Sequence, residues 1–182
     1  MNAAGPVIAS DARTRAREVR IMLFDVDGVL TDGTLWYSAT GEDVKAFNVL
    51  DGQGIKLLQQ AGIETGLLTS RQSGAVARRA QELGIALLMQ GIHDKHAAYT
   101  GVLGERGLRP EQAGFMGDDL VDLPVLTRCG FAVSVPGAPS AVRSRAHLVT
   151  QAGGGRGAAR EACEFILDAH GLLDGLVAAF CK

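Results

Sequence analysis

Short apolar, strand-like runs alternate with amphipathic helical stretches along most of this 182-residue chain. Each strand-plus-helix unit takes roughly twenty to twenty-five residues, the rhythm of βαβ units, in which parallel strands need a crossover between them. The strands expected are Ile21–Phe24, Glu64–Leu68, Ala86–Met89, Gly114–Met116, Phe131–Val135 and His147–Val149. Helices are expected from Asp51 to about Ala61, Ser73 to Leu83, Asp94 to about Glu105, Leu120 to Thr127 and Ala158 to His170. Gly62 and Gly84 stand where two of these must stop. Between the first strand and the first helix, Leu35–Tyr37 and Asp43–Val49 flank a Gly-containing turn and read as a hairpin. The fold class is therefore α/β, with a central parallel sheet.

No internal repeat, linker or low-complexity block divides the chain, so residues 1–182 are expected to form one domain. Residues 1–19 read as a solvated leader whose helix is capped near Ser10, with Asp11 in its first turn. Residues 35–49 are a hairpin flap and residues 171–182 an apolar tail. A net charge of −2 and an aromatic content of 5% argue against nucleic-acid binding, which needs cationic surface or stacking platforms. No segment approaches the roughly 18 apolar residues of a membrane span. Cys129, Cys163 and Cys181 are sparse, odd in number and form no Cys-x-x-Cys pair, which points to reduced thiols in a cytoplasmic protein.

Polar groups cluster where strands end. Asp25 and Asp27 close the first strand, Thr69 the second, and Asp118 and Asp119 a later one, while Lys95 opens a helix. In a parallel sheet the carboxyl ends of strands share one edge, so these groups face one crevice. Carboxylates gathered there repel unless a hard cation sits among them, and Mg²⁺ suits an all-oxygen set completed by a substrate phosphate. In that arrangement Asp25 attacks phosphorus and becomes an aspartyl-phosphate. Asp27, pushed toward protonation by its neighbours, protonates the leaving group and later deprotonates water. Asp25, the Asp27 carbonyl and Asp118 bind the metal, with Asp119 and Asp122 supporting them from outside. Lys95 and Thr69 hold phosphate oxygens.

At these residues the chain resembles the haloacid dehalogenase-like superfamily of phosphatases. Its four motifs occur in order: Asp25–Val29, Thr69, Lys95 and Gly117–Asp122. Five longer stretches resemble one subgroup of it: Phe24–Gly33, Lys45–Val49, Asp51–Ile55, Gly117–Pro124 and Gly154–Glu161. That subgroup is the 3-deoxy-D-manno-octulosonate 8-phosphate phosphatase family. The resemblance implies a Rossmann-like three-layer sandwich with a projecting β-hairpin and no cap domain. It also implies a role in lipopolysaccharide biosynthesis and a homotetramer, in which a neighbour's hairpin and tail close each site. Arg71 would then bind the sugar carboxylate beside Ser70, and Arg156 could reach a neighbouring site. Leu50 stands where the family commonly has a basic residue, and Ser70 where Gly is usual.

Two other readings stay open on sequence: a phosphatase of a nine-carbon sugar acid 9-phosphate, and a non-catalytic oligomerisation module. The second would be marked by a lost nucleophile, metal ligand or lysine. Gly153–Gly157 lacks a Gly-Lys-Ser/Thr ending and reads as a structural turn. His93, His96, His147 and His170 have no metal-ligand spacing.

Overall fold

Strands buried on both faces need no alternation of polar and apolar residues, and three runs here are wholly apolar or nearly so: Ile-Met-Leu-Phe, Ala-Gly-Phe-Met and Phe-Ala-Val-Ser. In the computed structural model, which describes residues 7–39 and 43–181, they are the strands β2 (Ile21–Phe24), β7 (Ala113–Met116) and β8 (Phe131–Ser134), every residue of them buried. With β1 (Val7–Ile8), β5 (Glu64–Leu68), β6 (Leu87–Met89) and β9 (Leu148–Val149) they form a seven-stranded sheet of order β1-β9-β8-β7-β2-β5-β6. All neighbours are parallel except β1, which runs antiparallel to β9. A second, two-stranded sheet, β3 (Trp36–Tyr37) with β4 (Asp43–Val44), is the hairpin.

The helices are α1 (Ala12–Glu18), α2 (Val49–Gln60), α3 (Gly74–Leu83), α4 (Lys95–Arg106), α5 (Leu123–Leu126), α6 (Ser140–Arg143), α7 (Ala158–Ala169) and α8 (Leu173–Ala179). Helices α2 and α7 pack together, joined by α1 against α7 and by α3 against α2, while α4 packs with α5. The chain moves from β2 out to β6 on one side, then returns to β7 on the other. Right-handed crossovers therefore place α2 and α3 on one face and α4 on the opposite one. The reversal makes the gap beyond the carboxyl ends of β2 and β7 the switch point where open α/β sheets bind ligands.

Several sequence expectations change. The leader helix is not solvated: Ala12, Ala16 and Val19 are fully buried, and β1 ahead of it adds an edge strand that two exposed residues gave no periodicity to reveal. Asp11 stands at the N-cap, but its carboxylate accepts from Arg15 Nε (2.6 Å) instead of a backbone amide. Of the expected hairpin strand Asp43–Val49, only Asp43–Val44 pairs. Asn48 then starts α2 early, its side chain accepting from the Leu50 amide at 2.8 Å. Residues 120–127 divide into a 3₁₀ turn, Leu120–Asp122, and the single turn α5. The tail carries a helix, α8, with no buried residue. Cys129 and Cys163 are buried and Cys181 exposed, all three as free thiols.

Candidate active site

The loop after β2 turns back at once. Val26 O accepts from the amides of Leu30 (2.9 Å) and Thr31 (3.0 Å), and Gly28 adopts a φ of 87°. A side chain there would be strained and would also collide with the Asp118 carboxylate, so glycine after the second aspartate is a steric requirement. This turn leaves Asp25 at the mouth of the sheet, 6% exposed, its amide donating to Met116 O at 2.9 Å.

Lys95 is the first residue of α4, whose start is fixed by Asp94 accepting from the Ala97 amide (2.9 Å). Its buried ammonium lies 2.6 Å from Asp122 Oδ1 and 3.0 Å from Asp25 Oδ2. Burial opposes the charge, but the two carboxylates outweigh it and the Lys95 pKa is raised. Asp122 is fully buried and saturated: its other oxygen accepts from the amides of Asp118 (2.9 Å) and Asp119 (3.1 Å). It therefore aims Asp118 and Lys95. Asp119 caps its own turn, accepting from the Leu120 amide at 2.7 Å.

Asp25 Oδ1 and Asp118 Oδ1 are buried without a hydrogen-bond partner among the described residues. Oxygens of Asp25, Asp118 and Asp122 lie within 4.8 Å of one another. Burial, then the Asp122 charge, raises Asp25 to about 6 against the pull of Lys95. Burial, then the charges of Asp25, Asp122 and Asp119, raises Asp118 to about 7. Two orphaned carboxylate oxygens in a crowd of like charge are what a hard divalent cation would satisfy, so the donor set fits Mg²⁺.

Thr69, Ser70 and Arg71 follow β5 and line the same cleft of about 320 Å³ as Asp25, Asp27, Lys95, Asp118 and Asp119. Thr69 is buried, its amide donating to Met89 O at 3.0 Å and its carbonyl accepting from Ile92 N at 3.1 Å. Arg71 Nη1 donates to Tyr37 Oη on the hairpin (3.2 Å), and Arg71 Nε stands 3.8 Å from Asp27 Oδ2. Two cations flank the Asp27 carboxylate: Lys45, paired with Oδ1, and Arg71, beside Oδ2.

Lys45 is the site residue that was missed. Nothing in its periodicity separates it from a surface lysine on a hairpin, and its place in the Lys45–Val49 stretch was the one hint. Arg156 is not brought to the cleft of its own chain: its side chain is 75% exposed and stands 3.8 Å from Asp32. The loop bearing it is pinned beneath the turn that follows β2, with the Gly155 amide donating to Val29 O at 2.9 Å and Gly154 packed against the Gly28 carbonyl. That supports a structural reading of Gly153–Gly157.

No family model matches the chain. Among curated proteins, 3-deoxy-D-manno-octulosonate 8-phosphate phosphatase KdsC of Yersinia pestis is 43% identical over 171 residues, 94% of this chain and 91% of that protein. Among solved structures, the 3-deoxy-D-manno-octulosonate 8-phosphate phosphatase of Moraxella catarrhalis, in complex with magnesium ion, phosphate ion and KDO, superposes with a TM-score of 0.92 at 39% identity. That match covers 93% of this chain and 98% of the other. A Legionella pneumophila hydrolase assigned to subfamily III A of the HAD superfamily superposes with a TM-score of 0.90 at 37% identity, over 94% of each chain.

Proposed function

From the premise that this chain belongs to the 3-deoxy-D-manno-octulosonate 8-phosphate phosphatase family of HAD hydrolases, we propose how its residues divide the work. The chain is a Mg²⁺-dependent phosphomonoesterase that releases the free eight-carbon sugar acid and phosphate, a step of lipopolysaccharide biosynthesis. The observation that carries the assignment is the pair of orphaned oxygens on Asp25 and Asp118, with Lys95 on the other oxygen of Asp25.

Asp25 attacks phosphorus in line and forms the aspartyl-phosphate. As the phosphorus–oxygen bond to the sugar breaks, Asp27 gives its proton to the departing oxygen, and it later takes one from the hydrolytic water. Lys95 holds Asp25 and balances charge on the transferring group, with the Thr69 hydroxyl beside it. Asp25, the Asp27 carbonyl and Asp118 are the residues that would hold magnesium, with Asp119 and Asp122 behind them. When bound, the ion supplies positive charge against the carboxylates and the phosphoryl oxygens. Ser70 and Arg71 receive the sugar acid, with Arg71 facing its carboxylate.

The working form is a homotetramer in which a neighbour's hairpin and tail close the cleft and Arg156 reaches across. Support comes from exposed apolar side chains on both elements: Trp36, Tyr37 and Val44 on the hairpin, Val177 and Phe180 on the tail. A cytoplasmic location accords with the three free thiols, and among the described residues no helix is long and apolar enough to cross a membrane.

Kinetics of the purified protein with Mg²⁺ on the eight- and nine-carbon sugar acid phosphates test the substrate. The larger kcat/KM is expected on the eight-carbon compound, and the reverse would reassign it. Asp25→Asn is expected to abolish turnover, and substantial phosphate release by that variant would remove Asp25 as nucleophile. The non-catalytic reading is not favoured: the relatives are phosphatases, and Asp25, Asp27, Lys95 and Asp118 line one cleft.

A further inference from the structure

Lys45 has no role in the scheme above, yet it is among the most buried charged groups at the site. It directly follows β4, its side chain is 1% exposed, and its ammonium pairs with Asp27 Oδ1. That is the only hydrogen bond to the Asp27 carboxylate among the described residues. Arg71 Nε, at 3.8 Å from Oδ2, is an ionic neighbour outside hydrogen-bond reach. The aspartate sits on a turn with Gly28 beside it, and among the described residues no backbone amide donates to its carboxylate.

We propose that Lys45 is a positioning residue for Asp27. By holding Oδ1, it directs Oδ2 toward the oxygen that leaves phosphorus. The inference rests on the acid/base reading of Asp27. When Asp25 Oδ bonds to phosphorus and the bond to the sugar oxygen breaks, that oxygen keeps the electron pair and takes the Asp27 proton. Lys45 exchanges no proton in this step. It sets the direction of transfer, and proton transfer falls off quickly with misorientation. Because Lys45 belongs to the segment joining the hairpin to α2, the same contact ties the position of the hairpin to the geometry of the acid.

The test compares three phosphate esters through kcat/KM, which reports the steps up to departure of the leaving group. Glycerol 3-phosphate and the sugar acid phosphate release alkoxides that need a proton, whereas p-nitrophenyl phosphate releases a stable phenolate that does not. Lys45→Met is expected to lower kcat/KM on both alkyl esters by on the order of tenfold more than on the aryl ester. Lys45→Arg should restore part of that difference. An equal loss on all three esters would mean a merely structural lysine, and a loss confined to the sugar acid phosphate would mean a contact to substrate. Either outcome, or no loss at all, overturns the proposal. If Lys45→Met is insoluble, Lys45→Gln and Lys45→Arg carry the same comparison. Asp27→Asn distinguishes the two levels. If it shows the alkyl–aryl contrast and the Lys45 variants do not, the lysine inference fails alone; if it shows none, the acid/base reading fails and takes the inference with it.

Discussion

Burying Asp25 and Asp118 beside other carboxylates, with Oδ1 of each unpartnered among the described residues, is unfavourable for the folded chain, and burial with that charge raises their pKa values to about 6 and about 7. A carboxyl whose folded pKa lies above its unfolded value of 3.8 favours the folded state most when protonated. Its contribution is full below that unfolded value and is lost as pH rises through about 6 for Asp25 and about 7 for Asp118. Magnesium competes with those same protons. The increase in Tm on adding Mg²⁺ to chelated protein should therefore be large at about pH 8 and small at about pH 5. Thermal melts at several pH values check this, and a pH-independent increase would separate the metal from these carboxylates. Asp25, Asp118 and Lys95 were legible in the sequence because strand ends and a helix start fix where their backbones lie. The environment of Asp27 was not, since the cations beside it come from residues 18 and 44 positions further on.

Helix α2 does more than cross the sheet. Asp51, in its first turn, is 2% exposed and caps α7 across the interface: Oδ1 accepts from the Arg160 amide (2.9 Å) and Oδ2 from the Gly157 amide (3.2 Å). Asp51→Ala would leave two helix-start amides without their acceptor, at a cost of about 2 kcal/mol. Urea unfolding should show it as a lower midpoint with unchanged slope, and Asp51→Asn should lose less. A neighbouring change should act on catalysis instead: a Cβ at Gly154 would overlap the Gly28 carbonyl and displace the turn that holds Asp25 and Asp27. Gly154→Ala is accordingly expected to lower kcat while the sheet and its helices stay folded, read by kinetics beside a circular dichroism spectrum. Periodicity revealed α2 and α7 as elements, but the Asp51–α7 cap spans 106 and 109 positions in sequence. The early start of α2 turned on Asn48 outcompeting a strand, which residue type alone does not decide.

At the scale of the whole molecule, apolar surface remains on the hairpin and the tail. Trp36 is the only tryptophan of the chain and is 62% exposed. Assembly through the hairpin should bury it, so dilution below the assembly constant should shift its emission to the red, in step with the mass seen by sedimentation. Removing residues 172–182 should leave the sheet and its helices folded, because α8 meets the core through the partly buried Leu173 and Leu176 and has no fully buried residue, while KM for the sugar acid phosphate rises. An unchanged KM would end the idea that a neighbour's tail closes the cleft.

The three thiols, finally, divide the chain by how deeply each is enclosed. Cys181 is exposed, Cys129 is 5% exposed, and Cys163 is fully enclosed on α7, where a Cβ on Gly54 of α2 would come within 3.3 Å of its own. Burial pushes the Cys163 thiol well above its ordinary range and Cys129 up to about 12. An alkylating reagent should thus consume Cys181 on mixing and reach Cys163 only while α2 and α7 are parted. The slowest labelling phase becomes a clock for the parting of that helix pair, readable by mass spectrometry without altering a single residue.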